Sequence, residues 1–79
     1  MIFTPELIEE LEMLSHYNLS TTQEGVKVHK TAPAEIIAAT RRLHEKGLIT
    51  LVDGGYLTPL GLEVATHVQQ TLTILTSVR

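Results

Sequence analysis

The chain contains no cysteine, so no disulfide can stabilise it and no thiolate can bind a metal. It also lacks an apolar run of the roughly 20 residues that a membrane-spanning helix needs. Its start turns acidic at Glu6, unlike the basic start and long apolar stretch of a secretory signal. These absences lead us to expect a cytoplasmic protein that does not enter a membrane.

The length of 79 residues predicts a single domain over residues 1–79. Hydrophobic residues make up 43% of the chain and charged residues 19%, which is typical of a globular domain rather than a disordered one. A domain this small buries a modest fraction of its surface, so its stability is marginal without further support. Since no disulfide is available, self-association is the support that we expect.

The net charge of −3 is unfavourable for a nucleic-acid-binding protein, but the basic residues are unevenly distributed. Residues 1–26 contain five glutamates and no lysine or arginine, whereas residues 27–46 contain five of the six basic residues. This basic cluster consists of Lys27, Lys30, Arg41, Arg42 and Lys46. The cluster is either a solvated helix face or a surface that binds phosphates.

Two threonine–proline pairs predict helix starts, because a hydroxyl caps a helix and proline fits its first turn. The first pair predicts a helix over residues 5–16 and the second predicts a helix over residues 59–77. In the first helix, apolar residues at helical spacing predict an inward stripe, with glutamates on the opposite, solvated face. The stripe consists of Leu7, Ile8, Leu11 and Leu14.

A further helix is predicted between Pro33, which opens it, and Gly47, which ends it. Successive residues of a helix are rotated by about 100°, so this spacing sorts side chains into two faces. The predicted inner face contains Ile36, Ile37, Thr40 and Leu43, and the predicted outer face contains Ala34, Ala38, Arg41, Arg42 and Glu45.

Residues 22–29 fit either a short helix or a strand. Thr21 and Glu24 have capping-box spacing, which favours a helix, whereas Val26 and Val28 are poor helix formers that alternate as in a strand. We predict the helix. After Gly47, residues 48–52 and 56–57 flank a glycine-rich turn and predict a β-hairpin.

From Thr21 to Gly61 the chain resembles the winged helix-turn-helix proteins of bacterial transcription, on the stretches Leu43–Ile49 and Asp53–Gly61. The whole chain also looks like a small family of uncharacterised gammaproteobacterial proteins that are described as hypothetical DNA-binding proteins. The resemblance implies an α+β, mostly α fold: three helices, a β-hairpin wing and a long C-terminal helix.

The resemblance also implies a DNA-binding transcriptional regulator, with double-stranded DNA as its partner. Alanines at the start of the helix after Pro33 and an acid, Asp53, at the hairpin tip offer few groups that could read bases, so we expect low base specificity. The alternative is a winged-helix protein-interaction module that does not bind DNA. The expected DNA-binding residues are Lys27, Lys30, Thr31, Ala34, Glu35, Ala38, Arg41, Arg42 and Lys46, of which Lys30, Arg41, Arg42 and Lys46 would hold phosphates.

The stretch from Val64 to Val78 contains no Asp, Glu, Lys or Arg. Depletion of charge along an apolar stripe marks a buried interface. We therefore predict that the helix over residues 59–77 dimerises with its copy, although the first helix of the same chain could cover it instead. The predicted homodimer interface consists of Val64, Val68, Leu72 and Leu75.

Patterns for catalysis and metal binding are absent from the sequence. The four histidines have no spacing of three or four residues, and the serines lie in no nucleophile motif. The two adjacent glycines follow one strand and lead into another, unlike a phosphate-binding loop. We expect a protein that is not an enzyme and that uses no metal, cofactor or small-molecule ligand.

Overall fold

Helices and short antiparallel strands form the computed structural model of the chain, which describes residues 2–20 and 25–77. The fold is α+β and mostly helical, as predicted. In chain order the elements are α1 (Pro5–Ser15), β1 (Val26–Lys27), α2 (Ala34–Glu45), β2 (Ile49–Leu51), β3 (Gly54–Leu57) and α3 (Pro59–Thr76).

Threonine hydroxyls cap α1 and α3, as the threonine–proline pairs predict. Thr4 Oγ1 accepts a hydrogen bond from the Leu7 amide at 3.2 Å, and Thr58 Oγ1 accepts one from the Gly61 amide at 3.0 Å. Thr58 Oγ1 also donates to the Gly47 carbonyl oxygen at 2.6 Å. Thr58 therefore connects the start of α3 to the turn that ends α2.

The prediction of a helix over residues 22–29 is wrong for residues 25–29, and residues 22–24 lie outside the described ranges. Val26 and Lys27 instead form β1, which pairs antiparallel with β3. The physical reason lies in β3: a Cβ atom on Gly54 would overlap the carbonyl oxygen of Val26. The absence of that side chain lets β1 approach β3 and favours the strand that alternating valines already allow.

The sheet has the strand order β1-β3-β2, so β3 is the central strand. The predicted hairpin is confirmed as β2 and β3, with Ile49 opposite Leu57 and Leu51 opposite Gly54. Its predicted turn is wrong in position: the turn is at residues 52–53, and Gly54 and Gly55 belong to β3. The Val28 amide donates to the Asp53 carbonyl oxygen at 2.8 Å, so the hairpin turn is bound to the segment that follows β1. The hairpin is therefore held by β1 and the segment that follows it rather than extended as a free arm.

The absence of a helix over residues 25–29 contradicts part of the predicted helix-turn-helix. The described residues between α1 and α2, which are 16–20 and 25–33, contain no α-helix. The element that would precede α2 in a helix-turn-helix is thus not formed by residues 25–29. What remains of the predicted arrangement is α2 leading through Gly47 into the hairpin, followed by α3.

The core lies where the three helices meet the sheet. Its buried hydrophobic residues are Met13, Leu14, Tyr17, Ala39, Leu43, Leu48, Ile49 and Ala65. On the predicted inner face of α2, Thr40 and Leu43 are buried, and Ile36 and Ile37 are half-buried. In the described part of the chain, no helix combines the length and hydropathy needed to cross a membrane.

Candidate functional site

Glu10 of α1 binds two of the five residues of the basic cluster. The Glu10 side chain is only 7% exposed, and Arg42 Nε donates to its Oε2 at 2.6 Å. Lys46 Nζ donates to the other carboxylate oxygen, Oε1. Arg42 Nη2 also donates to the Glu6 carbonyl oxygen at 3.2 Å and lies 3.8 Å from Glu9 Oε1.

These contacts correct two predictions. Arg42 does not lie on the solvated outer face of α2, because its guanidinium turns towards α1 and is half-buried there. Glu10 does not lie on a solvated face of α1, because it is buried between the two helices. Both side chains leave water together, which offsets much of the cost of burying either charge alone.

The carboxyl group of Glu10 remains ionised in this environment. Burial opposes the charged form, but the hydrogen bonds and positive charges of Lys46 and Arg42 outweigh burial and lower the pKa of Glu10 below its ordinary value of 4.5. Glu10, Arg42 and Lys46 thus form a charge cluster that joins α1 to α2.

The other three basic residues surround a depression between β1, α2 and the hairpin turn. Lys27, Lys30 and Arg41 line it together with Thr31 and Asp53, and its volume is about 790 Å³. The rest of the lining consists of His29 and of Val28, Ile37, Thr40 and Val52. Among the described basic residues, only Arg42 and Lys46 form ion pairs. Lys27, Lys30 and Arg41 are exposed and form none with the described residues.

The exposed face of α2 continues from this depression. Ala34 and Ala38 are exposed and share a helix face with Arg41, since they precede it by seven and three residues. Glu35 is exposed in the first turn, where a carboxylate is favoured by the helix dipole. Of the nine expected DNA-binding residues, Lys27, Lys30, Thr31 and Arg41 therefore lie together, whereas Arg42 and Lys46 lie against α1.

An apolar groove runs between α1 and α3, with a volume of about 700 Å³. All four residues of the predicted dimer interface line it: Val64 and Val68 are half-buried, and Leu72 and Leu75 are exposed. The opposite wall is formed by Phe3, Ile8 and Leu11, with Glu12, Ser15, His67 and Thr71 completing the lining.

The sequence analysis does not predict that α1 forms a wall of this groove. The predicted inward stripe of α1 is buried only at Leu14, whereas Leu7, Ile8 and Leu11 are exposed. The signal was present, because Phe3 and Ile8 extend the apolar pattern in front of and along α1. The apolar stripe of α1, which is predicted to face the core, therefore forms part of the wall of an open groove.

Residues 1–76 match a family of unknown function, DUF5669. The chain belongs to this family. No curated protein and no solved structure shows significant similarity to it.

The histidines are dispersed over the surface. His16, His29, His44 and His67 are all exposed, on different elements or at their ends. Within residues 2–20 and 25–77, no three histidine or carboxylate side chains come close enough to hold a metal ion. His29 lies in the basic depression and His67 lies in the apolar groove.

Proposed function

We propose that the protein is a DNA-binding regulator of winged-helix type that contacts mainly the sugar-phosphate backbone and has low base specificity. The observation that carries the proposal is the placement of Lys27, Lys30 and Arg41 around one depression beside the hairpin, without ion pairs to other described residues. The order of α2, hairpin and α3, with β1 on the far side of β3, supports the winged-helix type.

Three exposed cations around one depression favour DNA phosphates as a ligand, because lysine and arginine that neutralise phosphates release the cations condensed on the duplex. Arg42 and Lys46 are no longer proposed as phosphate ligands. Glu10 already accepts a hydrogen bond from each of them, and breaking those bonds would leave its buried carboxylate without a partner.

Low base specificity follows from the surface around the cations. Ala34 and Ala38 on the exposed face of α2 carry no hydrogen-bonding group, and bases are distinguished mainly by hydrogen bonds to their edges. Asp53 at the hairpin turn and Glu35 in the first turn of α2 would repel phosphates that come too close. The cations can fix a position on the duplex without reading its sequence.

A mobility-shift titration of a short random-sequence duplex, repeated at several salt concentrations, tests this function. With three phosphate contacts per chain, the slope of log K against log salt concentration should be roughly −2.7 per chain. The double variant Lys30→Gln/Arg41→Gln should bind more weakly and show a slope closer to zero by about 1.8.

Lys46→Gln is the matched control, since it removes the same charge as Lys30→Gln from a lysine that already pairs with Glu10. It should leave both affinity and salt slope unchanged. Absence of any shift at low salt, or equal weakening by Lys46→Gln and Lys30→Gln, would contradict the proposal.

A protein-interaction module that does not bind DNA is the second candidate, and the apolar groove between α1 and α3 favours it. A groove of this kind is typical of a protein contact rather than of a phosphate site. Passage through heparin at low salt without retention, by wild-type protein with intact helical circular dichroism, would favour this function over DNA binding.

A further inference from the structure

The end of α3 is not covered by its own chain. Every residue from Gln70 to Ser77 is exposed, and Ile74 and Leu75 are 73% and 74% exposed. An isolated helix of two turns is marginal in water, because packing of an apolar face supplies most helical stability. The sequence nevertheless places leucine and isoleucine here instead of charged residues.

The surface of α3 from Val64 onward also lacks the charges that oppose burial. No Asp, Glu, Lys or Arg occurs between Val64 and Ser77, so covering this surface would leave no unpaired charge in an apolar interface. The rest of the groove lining is mostly apolar, and Glu12 is its acidic side chain.

The balance of buried and exposed apolar residues points to a large contact. Eight hydrophobic residues form the buried core, two of them alanines, whereas twelve large hydrophobic residues are exposed in the described chain. Five of the twelve line the groove: Phe3, Ile8, Leu11, Leu72 and Leu75. A stable interface covers about 800 Å² on each partner. The surface of one chain is 5696 Å², so such a contact would cover about one seventh of it.

The groove and the uncovered helix end belong to one surface, since Leu72 and Leu75 are part of both. In a two-fold contact the same patch must serve as both the projecting and the receiving surface. This patch meets that requirement: it offers exposed leucines at the end of α3 and a groove that they could enter.

We propose that the groove between α1 and α3 binds the same groove of a second copy of this chain, in a two-fold homodimer in which the end of each α3 covers the partner. The interface extends the predicted one from α3 alone to both helices, with Phe3, Ile8 and Leu11 opposite Leu72 and Leu75. The dimer is independent of DNA binding, because Lys27, Lys30 and Arg41 line a different depression.

Sedimentation equilibrium of the full chain over a wide concentration range tests the dimer. Wild-type protein should approach twice the 8.7 kDa monomer mass, whereas Leu72→Glu/Leu75→Glu should remain at the monomer mass over the same range. Leu60→Glu is the matched control, because Leu60 is an exposed residue of the same helix that does not line the groove. This control should dimerise like wild type.

A second measurement does not depend on a disruptive substitution. The chain has no cysteine, so Thr71→Cys introduces a single thiol into the groove, and Ala38→Cys introduces one on the exposed face of α2. Mild oxidation at low protein concentration should give a covalent dimer from Thr71→Cys and leave Ala38→Cys monomeric. A wild-type mass that stays at the monomer value at every concentration, or equal cross-linking of both variants, would overturn the proposal.

Discussion

Arg42 donates a 2.6 Å hydrogen bond from Nε to Oε2 of Glu10, and this contact joins α1 to α2 across 32 positions of sequence. The basic segment therefore contains two kinds of cation, because Arg42 and Lys46 are structural partners of a buried carboxylate rather than free cations. Substitutions can therefore distinguish the structural role of Arg42 and Lys46 from the proposed phosphate contacts of the other basic residues.

Glu10→Gln should lower the free energy of unfolding by about 1–2 kcal/mol. Breaking a fully buried ion pair costs more, but Arg42 and Lys46 are 28% and 48% exposed and recover hydration when the carboxylate is removed. Urea unfolding followed by circular dichroism measures the change. Glu63→Gln, at an exposed position of α3, should stay within about 0.5 kcal/mol of wild type, and an equal loss there would refute the structural role of Glu10.

The same carboxylate should make stability depend on pH below neutrality. The pKa of Glu10 is lower in the folded chain than its ordinary value of 4.5, because hydrogen bonds from Lys46 and Arg42 outweigh the effect of burial. Its contribution is therefore present above about 4.5 and is lost as the pH falls towards the folded-state pKa. Urea midpoints measured from neutral to acidic pH should fall more steeply for wild type than for Glu10→Gln. Parallel curves would contradict this assignment.

Gly61→Ala should destabilise the fold by about 3 kcal/mol, although alanine is the better helix former by about 1 kcal/mol. Gly61 is buried in the first turn of α3, and a Cβ there would overlap the carbonyl oxygen of Leu48. The backbone at Leu48 cannot rotate away as a side chain could. Thermal unfolding compared with Glu63→Ala, an exposed position two residues later, measures the effect; similar melting temperatures for the two variants would argue against this close packing.

Thr58→Ala should cost about 2 kcal/mol, roughly twice the cost of Thr4→Ala. Thr4 only caps α1, whereas the Thr58 hydroxyl caps α3 and also donates to the Gly47 carbonyl oxygen. Thr58→Ser keeps the hydroxyl and should recover most of the loss. If serine and alanine destabilise equally in urea titrations, the methyl group rather than the hydrogen bonds accounts for the effect.

The local signals of the sequence predicted the elements that depend on local chemistry. The threonine–proline pairs located the starts of α1 and α3, and Pro33 with Gly47 enclosed α2. The two glycines indicated the hairpin, although they lie in β3 and its turn is at residues 52–53. In each case the residues that cap, open or turn the chain act on neighbours within a few positions, so the sequence alone contains the information.

The predictions that are wrong depend on contacts between residues that are distant in sequence. Val26 and Lys27 form a strand because β3 offers two glycines about 30 positions later, which local helix-capping signals in residues 21–24 do not report. The sequence places Arg42 on the outer face of α2, and only the position of Glu10 shows that its guanidinium turns towards α1. The apolar residues of α1 could not be divided into core and groove without knowing how far α3 extends past the core.

The bond from the Val28 amide to the Asp53 carbonyl oxygen ties the hairpin turn to the chain that carries Lys30, and β1 fixes Lys27 against β3. The backbone positions that carry Lys27, Lys30 and Arg41 are thus set during folding. A ligand that engages them meets a preorganised surface and has little backbone ordering to impose. Recognition here would then select for the spacing of charges on the ligand, and a polyanion with a different repeat would be disfavoured by geometry rather than by total charge.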